Sequence, residues 1–148
     1  DLMMPSILFG LIILQLANFM MQFSLGTPLG LDIPNDHSLA EYVEYRYRPT
    51  GFEAYQYFQP VALYQAFAYS IVFMISVLCL LINRKYKFLA EGTVFLFSVI
   101  LMAIIRFGIG FMYFSVNKDM LLYPMQWIAL TVMIATVFIY VVKRFQHN

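Results

Sequence analysis

Four long apolar stretches constrain this 148-residue chain more than any other feature of its sequence. They cover residues 5–23, 61–83, 92–117 and 120–142, and only the third contains a charged residue. Each is close to the roughly 20 residues that a helix needs to cross the hydrocarbon of a bilayer. Charged residues make up 11% of the chain, against about 25% in a soluble domain. The sequence therefore predicts an all-α, polytopic membrane protein with about four transmembrane helices.

The distribution of charge predicts how the chain is oriented. Basic residues cluster in the connection between the second and third spans and after the fourth: Arg84, Lys85, Lys87, Lys143 and Arg144. The positive-inside rule assigns both clusters, and hence both termini, to the cytoplasmic side. Residues 24–60 then form a long extracytoplasmic loop between the first two spans, with more acidic than basic residues.

This loop contains signals for turns and for one short helix. Residues 37–48 lie between two proline-containing turn signals, so we expect a short helix there that begins at an Asp36 or Ser38 cap. Five tyrosines cluster in the same region: Tyr42, Tyr45, Tyr47, Tyr55 and Tyr57. Tyrosine is typical of the membrane interface, where its ring is apolar and its hydroxyl is hydrated. We therefore expect this helix to lie along the membrane surface.

The beginning of the chain does not resemble a secretory signal peptide. No basic segment precedes the first span and no small-residue cleavage site follows it before Gly26, so we expect this span to stay in the membrane. The chain starts at Asp1 rather than at methionine, and we expect that further sequence precedes it.

Composition and spacing exclude several classes of function. A net charge of +1 does not indicate a nucleic-acid-binding protein. Cys79 is the only cysteine, and neither His37 nor His147 has a partner at ligand spacing, so we expect no metal site and no cofactor. No catalytic triad, phosphate-binding glycine loop or pair of intramembrane carboxylates is present.

Arg106 is the most informative single residue because it lies inside the third apolar span. An arginine at that depth costs at least about 2.5–3.5 kcal/mol, so another group must compensate its charge. A lipid phosphate can do so by bidentate pairing. Helix carbonyls or a neighbouring subunit are the alternative, and a gating charge in a channel or transporter is a third interpretation.

Several short motifs follow one another along the chain. They are Asp1-Leu2, Pro5, Gly10, Asn18-Phe19 and Gly26, then Gln59-Pro60-Val61-Ala62-Leu63-Tyr64-Gln65, then Glu91-Gly92 and Ile105-Arg106-Phe107, and finally Pro124-Met125-Gln126-Trp127. Their order and spacing resemble the C-terminal part of the prolipoprotein diacylglyceryl transferase family over nearly the whole chain. The resemblance implies a bacterial cytoplasmic membrane protein with phosphatidylglycerol as its lipid partner.

The implied reaction transfers a diacylglyceryl group from phosphatidylglycerol to the thiol of a lipobox cysteine. Asn18, Gly26 and Arg106 match family positions associated with the active site. The resemblance further implies that Arg106, Asn18 and Tyr64 bind lipid.

Three positions depart from the family pattern. Gln15 replaces the signature arginine, Phe23 replaces a glutamate, and Met102 replaces a tyrosine four residues before Arg106; the family's upstream His-Gly segment is also absent. Losing an anion-binding cation and a carboxylate removes the groups that would bind a phosphate headgroup and position a thiol. We therefore expect a non-catalytic relative, a subunit of a larger membrane complex that binds a lipid. The alternative is an active transferase completed by residues upstream.

Overall fold

Four helices form the body of the protein. The computed structural model describes residues 1–22, 25–30, 39–87, 90–113 and 124–146. The helices are α1 (Met3–Met20), α2 (Val61–Tyr86), α3 (Thr93–Ile109) and α4 (Pro124–Gln146), and a 3₁₀ turn at Gly110–Met112 continues α3. All four are long and apolar enough to cross a membrane. The prediction of a helical, polytopic membrane protein is thus confirmed.

The helix ends differ from the predicted spans by a few residues. Helix α1 ends at Met20 rather than at residue 23, and α2 continues to Tyr86, three residues beyond the predicted end. Residues 114–123 lie outside the described part of the chain, and they include the predicted end of the third span and the start of the fourth. Helix α4 begins at Pro124, a residue that suits a helix start because its missing N–H has no partner to lose there.

The outer surface of the bundle is apolar. Large side chains such as Leu14, Phe67 and Phe138 expose between 52% and 70% of their surface. In contrast, many buried helix positions carry small residues: Ala62, Ala66, Ser76, Ser98, Ala103 and Ala129. Small residues allow membrane helices to approach closely, and large apolar residues suit contact with lipid. This pattern of burial is typical of a bundle surrounded by hydrocarbon.

Contacts at the helix ends fix the direction of the helices. The Asp1 carboxylate accepts hydrogen bonds from the backbone N–H groups of Gly92 and Phe95, so α1 and α3 start side by side. The Lys143 ammonium donates to the Glu91 carbonyl, which places the end of α4 beside the start of α3. Helices α1 and α3 therefore run in one direction, and α2 and α4 run in the other. We call the end where α1 and α3 start, and where α2 and α4 finish, the basic end.

The opposite end, where α1 and α3 finish and α2 and α4 begin, carries the long loop; we call it the loop end. Three short strands form an antiparallel sheet there: β1 (Pro28–Gly30), β2 (Glu41–Tyr42) and β3 (Tyr57–Phe58), in the order β1-β3-β2. Sequence analysis missed this sheet, because strands of two or three residues are too short to show an alternating pattern.

The predicted helix at residues 37–48 is not the structure that forms. Its first two residues lie in the undescribed range 31–38, with the two proposed caps. From Leu39 onward the chain forms strand β2 and a 3₁₀ helix of three residues, Tyr45–Tyr47. The Arg48 guanidinium donates to the carbonyls of Val43 and Glu53 and so closes this segment into a turn. The prediction was wrong because the Arg48 side chain bonds the Val43 carbonyl, which an α-helix would have bonded to a backbone N–H.

Candidate functional site

Gly26 joins the loop to the ends of the helices. Its N–H donates to the Gln59 carbonyl at 3.0 Å, and it forms a bridge with Tyr113, which follows α3. A Cβ atom at this position would lie 2.5 Å from Val61 Cγ2 and 2.6 Å from the Gln59 oxygen. Such distances are below van der Waals contact, so only glycine fits here. Gly26 therefore brings the backbone of the loop against the first turn of α2.

A buried hydrogen-bonded chain crosses the loop end of the bundle. The Gln65 Nε2 group donates to the Tyr69 hydroxyl at 2.7 Å, and the Tyr113 hydroxyl donates to Gln65 Oε1 at 2.9 Å. Gln65 is completely buried, and both ends of its amide have partners. The i, i+4 spacing of Gln65 and Tyr69 is a signal for such a pair, whereas nothing in the sequence points to Tyr113.

A second amide connects α4 to α3. The Gln126 Nε2 group donates to the Phe107 carbonyl at 3.3 Å. Gly110 lies directly against this side chain, because a Cβ there would be 2.5 Å from Gln126 Cγ. The end of α3 is thus held on one side by α4 and on the other by Gly26 and its neighbours.

Arg106 lies on the last turn of α3, within this polar end of the bundle. It is half-buried, and it is six residues before Met112, or about 9 Å along the helix axis. Within the described part of the chain, its guanidinium forms no hydrogen bond and no ion pair. Of the alternatives considered from the sequence, compensation by helix carbonyls is therefore not seen among these residues. A guanidinium at this depth requires an anionic or strongly polar partner.

The other predicted site residues lie at the same end, and their hydrogen bonds go to residues outside this set. Asn18 donates to Gln15 Oε1 at 3.4 Å, and the Tyr64 hydroxyl donates to the Leu39 carbonyl at 3.4 Å. Among the described residues, no hydrogen bond joins any two of Asn18, Gly26, Tyr64 and Arg106. The topology thus brings the four to one end of the bundle, where α1, α2 and α3 each contribute a polar side chain.

The comparison with protein families agrees with this arrangement. A family model described as prolipoprotein diacylglyceryl transferase matches residues 1–142. The chain belongs to the prolipoprotein diacylglyceryl transferase family. The resemblance seen in the motifs is confirmed. No curated protein and no solved structure matches the chain.

The structure shows the surroundings of two of the three positions that depart from the family pattern, Gln15 and Met102. Gln15 is 4% exposed and its Oε1 accepts the Asn18 hydrogen bond, so an uncharged amide pair occupies this part of α1. Met102 packs against the apolar cluster of Met4, Leu8 and Val72. Phe23 lies outside the described residues. Except for Arg106, the polar side chains described on the helices at the loop end are uncharged.

Glu41 is a buried carboxyl that sequence analysis did not single out. It is one of the acidic residues of the loop, it is only 6% exposed, and neither carboxylate oxygen has a hydrogen-bond partner among the described residues. It pairs in register with the fully buried Phe58. Burial raises the pKa of this carboxyl from 4.5 to about 7, because removing water disfavours the charged form.

The described residues contain no group of three His, Cys, Asp or Glu side chains that could hold a metal ion. Both histidines, His37 and His147, lie outside the described ranges. Cys79 lies in α2, near the basic end, as a free thiol.

Proposed function

We propose that this chain is a non-catalytic member of its family that binds an anionic phospholipid at the loop end. The observation that carries this proposal is the Arg106 guanidinium, which is half-buried and has no partner within the described residues. A phosphate can accept two parallel hydrogen bonds from a guanidinium, which suits a buried pair better than a single point contact.

The surroundings of Arg106 support a phospholipid of the phosphatidylglycerol type. Gln126 contacts the end of α3 on one side and the Gly26 bridge contacts it on the other. These contacts fix the backbone position of Arg106. Apolar side chains cover the outside of all four helices, and acyl chains would lie against them. A single cation favours an anionic headgroup over a zwitterionic one.

The replaced motif residues support the absence of transfer. Gln15 cannot supply the positive charge of the family arginine, and Phe23 cannot supply the carboxylate of the family glutamate. Binding one phosphate needs only Arg106, whereas transfer also needs stabilised charge on the leaving phosphate and a base for the thiol. We propose further that the chain is a subunit of a larger complex in the bacterial cytoplasmic membrane, with both termini cytoplasmic. Its many exposed aromatic side chains suit contact with other helices.

A second candidate, an active diacylglyceryl transferase, has one observation in its favour. Glu41 is a buried carboxyl at the loop end with a pKa of about 7, which suits a general base at neutral pH. In that role it would take the proton of the cysteine thiol. The thiolate would then attack the glyceryl carbon that bears the phosphate, forming the C–S bond while the C–O bond to phosphate breaks and glycerol phosphate leaves.

Lipid retention tests the first proposal. The protein is purified in mild detergent as wild type, as Arg106→Gln and as Arg46→Gln, and bound phosphatidylglycerol is measured by native mass spectrometry. Arg46 is an exposed loop cation that pairs with Glu44 at 3.2 Å, so its substitution controls for general charge. We expect Arg106→Gln to weaken retention about tenfold, the loss of about 1.4 kcal/mol, and Arg46→Gln to retain the lipid. Equal retention by all three proteins would contradict the proposal.

Two further measurements separate the remaining alternatives. Incubation with phosphatidylglycerol and a lipobox peptide should give no thioether product; product that disappears in Glu41→Gln would establish the transferase instead. The mass of the particle in mild detergent tests the subunit proposal, which requires that the chain co-purifies with other membrane proteins.

A further inference from the structure

A groove lies at the basic end of the bundle, far from Arg106. It has a volume of about 640 Å³, within the range of small-ligand sites. Its walls are the beginning of α1 and the last turns of α2, and the lining residues are Leu2, Pro5, Val77, Leu80, Leu81, Asn83 and Arg84. Five of these seven are apolar, and the two polar residues lie together on the last turns of α2.

The spacing of the lining residues makes this groove amphiphilic along its length. Val77, Leu81 and Arg84 follow one another at intervals of four and three residues, so they share one face of α2. The distance from Val77 to Arg84 is about 10 Å along the axis. The apolar part of the groove therefore ends at a cation. A phospholipid has the same order, because its acyl chains lie in the membrane and its phosphate lies at the surface.

The cation of this groove is available to a ligand. Arg84 is exposed, and no hydrogen bond or ion pair of its guanidinium is found in the described ranges. The neighbouring Lys85 differs, because it does not line the groove and its ammonium lies 5.2 Å from the centre of the Tyr86 ring. One of two adjacent cations is thus directed to the groove while the other contacts an aromatic ring.

The charges around the groove favour an anionic occupant. The described cations at this end are Arg84, Lys85, Lys87 and Lys143, and the acids are Asp1 and Glu91. The Asp1 carboxylate already accepts two backbone hydrogen bonds at the start of α3. The basic end is therefore positive overall. The groove combines this charge with an apolar wall, and Leu2 in that wall exposes 85% of its surface.

We propose that this groove binds a second anionic phospholipid, taken from the leaflet at the basic end, with its phosphate on Arg84 and one acyl chain along Val77 and Leu81. The site is independent of the lipid proposed at Arg106, because the two arginines lie at opposite ends of the bundle. Leu2 and Pro5 cover the acyl chain from the side of α1.

The experiment uses the full chain with Arg106→Gln as the parent, so that a lipid at the loop end contributes about tenfold less. Phosphatidylglycerol binding in detergent is measured by native mass spectrometry for the parent and for three added substitutions. Arg84→Gln removes the cation, Val77→Phe fills the groove without changing charge, and Lys85→Gln is the matched control. Circular dichroism and melting temperature show that each variant is folded.

We expect Arg84→Gln and Val77→Phe each to weaken binding about tenfold, whereas Lys85→Gln stays within about twofold of the parent. Phosphatidylcholine, with the same acyl chains and no net charge, should bind more weakly to the parent. Equal losses in Arg84→Gln and Lys85→Gln would overturn the proposal in favour of diffuse charge attraction. Unchanged binding in Val77→Phe, or no binding by the folded parent, would overturn it as well.

Discussion

Replacing Glu41 by glutamine should stabilise the protein above neutral pH and remove most of the pH dependence of its stability. The side chain is 6% exposed, and its two oxygens have no hydrogen-bond partner among the described residues. Glutamine has nearly the same shape and no charge. The substitution therefore removes the cost of an ionised group buried in strand β2 without opening a cavity.

The size of the effect follows from the pKa. Burial raises the pKa of Glu41 from 4.5 to about 7, and each pKa unit corresponds to about 1.4 kcal/mol. The stability that the protonated carboxyl contributes is fully present below pH 4.5 and is lost as the pH rises through 7. Above that range the wild type should have lost about 3 kcal/mol relative to acidic conditions.

Thermal or denaturant unfolding in a non-ionic detergent, measured from pH 5 to pH 8.5, tests this reasoning. Wild type should become less stable across the range, and Glu41→Gln should change much less. Glu44→Gln is the control, because Glu44 is exposed and pairs with Arg46 at the surface. If Glu41→Gln follows the same pH curve as wild type, Glu41 is not the titrating group. If it is less stable than wild type at pH 8, the carboxylate has a partner that stabilises its charge.

Two other substitutions test the packing of the loop end. Tyr113→Phe removes the hydrogen bond to buried Gln65 and should lower the free energy of reversible unfolding by about 1 kcal/mol. Lipid binding at the basic end should stay unchanged. An unchanged stability would mean that the Gln65 amide finds another donor. Gly110→Ala places a methyl group 2.5 Å from Gln126 Cγ and should destabilise by about 1–3 kcal/mol. Gly108→Ala is the matched control, with nothing within 4 Å, and should be neutral or stabilising; equal melting temperatures would contradict the close contact.

The sequence predicts the helices well and the loop poorly, for physical reasons. A membrane span has to be apolar over its whole length, so α1 and α2 are visible from composition alone. Strands β2 and β3 have two residues each and depend on partners far along the chain. The burial of Glu41 results from that pairing, so no local pattern could distinguish it from an exposed acid.

The candidate site shows the same division. Arg106 could be found because a charge within an apolar span is rare. That its guanidinium has no hydrogen bond or ion pair among the described residues could not be predicted, because this depends on which side chains α1 and α2 bring to the loop end. The Gln65 network is an intermediate case: Tyr69 is one turn away on the same helix, but Tyr113 comes from 48 residues further along the chain.

Depth distinguishes the two lipid sites proposed for this protein. Arg84 lies two residues before the end of α2, where a headgroup reaches its guanidinium without leaving the interface. Arg106 lies about 9 Å inside the end of its helical segment, so a phosphate that pairs with it has to enter the bundle. The glyceryl bonds of that lipid would then lie among protein groups rather than in the headgroup layer. A transferase needs the same placement, and uncharged Gln15 and Phe23 in place of the motif charges are consistent with a lipid that is held there without being cleaved.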